Sequence, residues 1–387
     1  MVDNSKNLKD KLFAYRGLGL IGSADIIGAA ITGFFWLSIA SFMEVEEYGQ
    51  LHYFLGIAGI AYIITLLGTQ QTITVYSAKK INIVSTLFFI SLIVVFVIAL
   101  VVFFVYNKPE LSLLIIGYTI NDMAIGYLLG KKFYTKYSQY IITQRILVFT
   151  LGFGFYFIFG VDGILYALAL SYIHFILIMY KGLKDSRINF SSLKTRSGFI
   201  VNNYALSLVG GFRGNIDKVI IAPLLGFIVL GNLALALQFY VILMVIPQIV
   251  FKFTLSRDAS GIPTTRVKLW TFLFAIVTCI LTVTLSPFLI PIFFEKFVDV
   301  VIAIQILSVG AIPATGILFY QSKFLGQEKS KNPLIGLSIQ VAITAIGIIT
   351  LGQMYGMIGI TISYVLASSG NLIYLILANR LMKISSN

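Results

Sequence analysis

The sequence predicts an all-α membrane protein of about twelve transmembrane helices, arranged as two six-helix lobes around a central cavity. Composition is the first observation behind this: of 387 residues 58% are hydrophobic and 11% charged, with a mean hydropathy of +0.95, against roughly 25% charged residues in soluble domains. The second is that mostly apolar segments of 18 or more residues, long enough to cross a hydrocarbon core of about 30 Å, recur along the whole chain. The third is an alternation of basic and acidic connections between those segments.

The first 16 residues carry Lys6, Lys9, Lys11 and Arg16 ahead of an apolar segment. At about 26 residues that segment is too long for a signal-peptide core, so it is read as an uncleaved first span. The twelve spans fall at 17–42, 50–69, 83–106, 111–130, 141–160, 163–180, 199–225, 229–251, 268–291, 299–322, 333–352 and 357–379. One connection is long, residues 181–198 (KGLKDSRINFSSLKTRSG). It divides an N-lobe, 1–180, from a C-lobe, 199–387.

The N-terminus, the connections after even-numbered spans and the C-terminus hold 23 of the 28 basic residues. Connections after odd-numbered spans carry only Lys108 and Lys296, beside Glu44, Glu46, Glu47, Glu110, Asp162, Glu295 and Asp299. Basic loops stay on the cytoplasmic side, which puts both termini there in a multi-pass plasma-membrane protein. The net charge of +13 is largely these loop residues, so it does not call for a nucleic-acid partner. The triplet Asn189-Phe190-Ser191 falls on the cytoplasmic side and is expected to be unused. Cys279 is the single cysteine, which excludes a disulfide framework and a thiolate metal site. No cofactor or metal is expected.

The halves resemble each other. EEYGQLHYFLGIAGI around Gly49 aligns with IVLGNLALALQFYVI around Gly231, KKF at 131–133 with SKF at 322–324, and GVDGILYALALSYIHFILIMY from Gly160 with GMIGITISYVLASSGNLIYLI from Gly356. Six spans per repeat is an even number, so the repeats share one orientation, as in transporters with parallel repeats, whose sites lie at the repeat interface.

Three stretches resemble the polysaccharide flippases of the multidrug/oligosaccharidyl-lipid/polysaccharide exporter (MOP) superfamily. They are SIASFMEVEEYGQLHYFLGIAGIAYIITLLGTQQTITVYSAKK, GNIDKVIIAPLLGFIVLGNLALALQFYVILMVIPQIV and YGMIGITISYVLASSGNLIYLI, and the resemblance runs from about residue 15 to 380. It implies a MATE/MOP-like fold with a central cavity open to each side in turn, through which lipid-linked oligosaccharide moves outward.

Span seven carries the most charge. On a helical wheel Asn202, Asn203, Ser207, Gly210, Gly214 and Asp217 fall within a roughly 120° arc about Arg213. A charge at bilayer depth costs at least about 2.5–3.5 kcal/mol and normally faces the bundle interior or a wet cavity. This face is therefore read as lining a pathway, with Arg213, Lys218 and Asn203 as substrate-binding candidates. The competing reading is a structural Arg213–Asp217 pair at i and i+4, which leaves Lys218 unexplained. Asp217, Asp122 and Asp25 are the candidates for ion coupling. Asp25 in span one shares its side with Gly22, Gly28, Ala29, Thr32 and Gly33, and its carboxylate either takes up a proton or sodium ion or is a satisfied structural acid. The resemblance adds that drug exporters of the superfamily place a coupling acid in the first span.

Asp122, beside Asn121 in span four, needs a partner, and Arg145 is the natural one. Arg145 alternatively snorkels to the headgroups, or faces the cavity as a planar fork suited to a diphosphate. His174 reads as a satisfied core histidine, and His52 as too exposed to interpret. Gln70, Gln71, Gln238, Gln305, Gln321 and Gln340 serve either sugar hydroxyls or helix contacts. GYLLGKK (126–132) superficially resembles a phosphate loop but is one residue short between its glycines. With no HExxH, no Ser-His-Asp arrangement and short outer loops, an enzyme is not expected.

The expected partners are a lipid-linked anionic oligosaccharide, the lipid bilayer and a proton or sodium ion. The alternatives are a cation-coupled small-molecule exporter of the same superfamily and a non-transporting scaffold for envelope synthesis.

Overall fold

In the computed structural model the described backbone comprises residues 2–67, 69–259, 263–327 and 329–385, with side chains from residue 19 to 382 apart from Ser192, Leu206, Ser256 and Ala259. The side chains of Lys6, Lys9, Lys11, Arg16 and Lys383 lie outside the described residues. Among the described residues every regular element is helical. In order these are α1 (Val2–Phe42), α2 (Val45–Thr65), α3 (Gln70–Ala78), α4 (Val84–Tyr106), α5 (Pro109–Gly130), α6 (Tyr134–Leu170), α7 (Ile176–Leu183), α8 (Ser191–Lys194), α9 (Ser197–Leu225), α10 (Phe227–Ala259), α11 (Thr265–Phe293), α12 (Val300–Gly326) and α13 (Lys331–Ser385).

Local chemistry sets the boundaries. α4 ends where Asn107 turns left-handed (φ 52) and donates its N–H to Phe103 O, and α5 restarts with Pro109 in its first turn. A left-handed cap followed by proline is the usual way for one helix to stop and the next to begin.

Nine helical stretches among the described residues are long and apolar enough to cross a membrane. Two of them, Tyr134–Leu183 with 50 residues and Lys331–Met382 with 52, are too long for one crossing. Each folds back at a glycine: Gly160 (φ 66, ψ −144) and Gly356 (φ 58, ψ −135) hold nearly the same conformation, one open to residues without Cβ. Three residues on, Gly163 packs onto the Phe155 carbonyl and Gly359 onto the Leu351 carbonyl, leaving no room for a side chain. These glycines are the Gly-x-x-Gly pairs that align the two halves. Counting each hairpin as two crossings, and adding the 29-residue α9 with its three charges, gives the twelve spans expected.

The contacts divide the chain into two compact units, residues 1–36 with 54–215, and residues 37–53 with 216–387. In the first, α1 runs beside α6, with Ser138 Oγ donating to Leu20 O at 2.7 Å and Phe35 edge-on to Phe153. α3 crosses α5 on Gly126 and Gly130, where a Cβ would lie 2.8 Å from Gln70 O and 2.6 Å from Thr74 O. The stretch with the outline of a phosphate loop is thus a small-xxx-small helix contact. The buried amide of Gln144 bonds Ser171 Oγ at 3.2 Å.

In the second unit Gln340 bonds Ser368 Oγ at 3.3 Å and receives Asn371 at 2.9 Å, and Gln305 donates to Val283 O at 3.0 Å, so these glutamines join helices. Where α2 begins it crosses the start of α10. A Cβ on Gly49 would run into Phe227 O and stand 3.0 Å from Gly231 N, and a Cβ on Gly231 would run into Val45 O and stand 3.1 Å from Gly49 N. The contact is reciprocal between the positions that align the two halves.

The far end of α10 is tied to α11 and α12 through Asp258, which accepts from Lys268 Nζ at 2.5 Å, Ser322 Oγ at 2.6 Å and Thr264 Oγ1 at 2.6 Å. Burial raises the Asp258 pKa, but these donors outweigh it, and the carboxyl lies below the ordinary aspartate value. A depressed acid contributes stability above its unfolded pKa of about 3.9 and loses it as pH falls through the lower folded value. In acid unfolding, Asp258→Asn is therefore expected to shrink the loss of stability below about pH 4 while costing ~1–2 kcal/mol at neutral pH. An unchanged acid limb would remove the assignment.

Candidate functional site

The first unit contains a cavity of ≈ 560 Å³ lined by α2, the start of α3, α5 and α9. Its polar lining is Tyr62, Gln70, Gln71, Asp122, Asn203 and Ser207, and Gly210 and Gly211 keep the α9 wall low. The volume is within the range of small-molecule sites. Two residues singled out in the sequence, Asp122 and Asn203, meet here from different spans. Asn203 donates to Phe199 O of its own helix at 2.9 Å, which leaves its carbonyl oxygen as an acceptor.

The cavity exists because span two is broken. α2 stops at Thr65 and α3 starts at Gln70, with Thr69 as N-cap accepting from Thr72 N. Restarting a helix leaves its first N–H groups without intrahelical acceptors, and the Asp122 carboxyl takes one of them, accepting from Gln70 N at 3.2 Å. This corrects the expected pairing with Arg145: the partner of Asp122 is a helix N-terminus. One Asp122 oxygen is used this way, and the other has no hydrogen bond among the described residues.

Beyond the cavity three tyrosine rings follow one another edge-on, Tyr62 to Tyr118 at 5.4 Å and Tyr118 to Tyr172 at 5.6 Å. Tyr118, Tyr137 and Tyr172 are close enough to Arg145 to sense its charge. Arg145 is half-buried. It lies along α1 at Gly28, where a Cβ would stand 3.3 Å from its Cγ and 3.6 Å from its Nε. Nε is enclosed without an acceptor, and the side chain makes no hydrogen bond or ion pair among the described residues. One turn earlier on α1, Asp25 accepts from Tyr137 Oη at 2.7 Å. Arg213 is exposed on α9, and neither it nor Asp25 is a free charge.

In the second unit Asp217 is buried, with one oxygen accepting from Tyr364 Oη and the other from Lys218 N at 2.9 Å. Both oxygens are thus engaged. The Lys218 ammonium lies within electrostatic reach of Asp217 and His52. His52 is itself 5% exposed, not too exposed to interpret, because Tyr48 covers it at 4.5 Å between rings. His174 Nε2 bonds the Tyr140 carbonyl at 3.0 Å, while its buried Nδ1 has no partner in hydrogen-bond geometry among the described residues, so the ring is only half satisfied.

No family model and no curated protein matches the chain. Solved structures do. The lipid II flippase MurJ in its inward closed conformation superposes with a TM-score of 0.77 at 13% identity, over 93% of this chain and 87% of that one. The fold is MATE/MOP-like. An inward-facing multidrug resistance MATE family transporter of the MOP superfamily gives 0.70 at 16% identity over 93% and 94%. A MATE in complex with MaL6 gives 0.64 at 18% over 96% of both chains. At these identities the likeness is one of fold.

Within this MATE/MOP-like fold, sequence reasoning passed over Tyr62, Tyr118, Tyr137, Tyr172 and Tyr364 as single residues. The cavity did leave a trace in the LLGTQQT stretch of span two, where a glycine, a capping threonine and two amides interrupt an apolar run. Gln70 and Gln71 of that stretch line the cavity, while Gln238 bonds Tyr48.

Proposed function

We propose that the chain is a flippase that moves a polyprenyl-diphosphate oligosaccharide across the plasma membrane by alternating access. Its termini are cytoplasmic, residues 1–180 and 199–387 act as its lobes, and it carries out no covalent chemistry. The observation that carries this reading is Arg145, a guanidinium set into the membrane-spanning part of the first unit without a counter-ion among the described residues. A diphosphate supplies the acceptors it lacks, in the planar geometry the fork matches. Lys218 offers a second cation in the other unit, and Arg213 a third on α9. Asp25, Asp122 and Asp217 are the groups through which a proton or sodium gradient drives the cycle, since each changes its affinity for a cation as its surroundings change.

A second reading, a cation-coupled exporter of small molecules, draws on Asp122, the one charged residue of the cavity lining. Reconstituted in proteoliposomes, the protein is expected to translocate a prenyl-diphosphate oligosaccharide and to leave tetraphenylphosphonium untouched. Transport of the phosphonium alone would reverse the choice. Transport of neither would leave the non-transporting scaffold.

A further inference from the structure

The cavity of the first unit is chemically unlike a phosphate site. Its described lining holds two primary amides from α3, one from α9, a serine hydroxyl, a tyrosine and one carboxyl, and no lysine or arginine. Side-chain amides donate and accept at once, as a sugar hydroxyl does, so the set suits a polyol presenting several hydroxyls in fixed directions. The Asp122 oxygen left free of Gln70 is an acceptor for such hydroxyls. The Tyr62 ring offers a flat apolar face within the same lining. The neighbouring α2–α9 contact is close, with a Cβ on Gly59 standing 2.5 Å from Asn215 Oδ1.

We infer that this cavity is the sugar subsite of the flippase and that Asp122 makes it charge-selective, accepting a neutral or amino-bearing residue of the headgroup and rejecting an acidic one. The inference rests on the flippase reading and adds to it the class of sugar. Rejection follows from placement. A sugar carboxylate in the cavity would meet the Asp122 carboxyl with no lysine or arginine among the described lining residues to offset it, and like charges brought together repel. The diphosphate is read elsewhere, by Arg145.

The test uses the purified full chain in lipid nanodiscs and three radiolabelled probes. These are a ten-carbon prenyl diphosphate, the same lipid carrying N-acetylglucosamine, and the same lipid carrying glucuronic acid. The N-acetylglucosamine probe is expected to bind at least tenfold more tightly than the glucuronic acid probe. Asp122→Asn keeps an acceptor for Gln70 N–H and is expected to narrow that ratio below threefold. Gln71→Lys, at an exposed position on the cavity wall, leaves Asp122 in place and is expected to favour the acidic probe. It serves as the independent variant should the first fail to fold. Equal affinity of the two sugars, or a ratio untouched by both substitutions, overturns the inference while leaving the flippase reading standing if the bare diphosphate binds. Failure of all three probes overturns both.

Discussion

Arg145→Ala is expected to lower translocation of a diphosphate-linked lipid by about 10- to 100-fold, the equivalent of one or two lost hydrogen bonds to a charged group. Stability is expected to move the other way or not at all, because Nε is buried without an acceptor and the side chain has no hydrogen bond or ion pair among the described residues. Arg145→Lys keeps the charge and loses the planar fork, and should fall between the two. Gly28→Val tests the same geometry from the other side, since a Cβ there already stands 3.3 Å from the Arg145 Cγ and a branched side chain must displace it. Parallel measurement of transport and of the thermal midpoint in detergent decides the matter. A variant that loses stability and keeps transport would make Arg145 a packing residue.

The crossing of α2 and α10 supports the second large effect. Gly49 and Gly231 each point a Cα hydrogen at a carbonyl of the other helix, so any side chain forces the helices apart. Gly49→Val and Gly231→Val are each expected to cost ~1–3 kcal/mol, the usual penalty for overpacking. Both substitutions demand the same separation, so the double variant should cost little more than either single one. Additive losses in chemical denaturation would show that the contact is not shared. Transport is expected to fall at least tenfold in all three, with the lipid-linked diphosphate as substrate.

How far the sequence carries differs between fold and site. Span existence depends on hydrophobicity summed over some twenty residues, which is a local property, and α4 or α11 needs no neighbour to be recognised. The Gly-x-x-Gly pairs at 160–163 and 356–359 were legible for a similar reason: the first glycine holds a backbone conformation closed to side chains and the second a contact with no room for one, so both stay glycine in each half. The partner of Asp122 was not legible. A carboxylate in a span announces that it needs a donor, but not that the donor is the N–H of Gln70, 52 residues away in sequence.

The sequence by itself thus determined the all-helical class and its long apolar helices, because hydrophobicity and backbone sterics act residue by residue. Only the tertiary structure decided which polar groups meet. It placed Asp122 with Asn203 around a cavity, gave Asp217 to Tyr364, covered His52 with Tyr48 and left Arg145 Nε without an acceptor among the described residues. Those outcomes depend on distances between helices far apart in the chain, and a hydrogen bond or ion pair is made or lost within an ångström, a precision that hydrophobic periodicity does not encode.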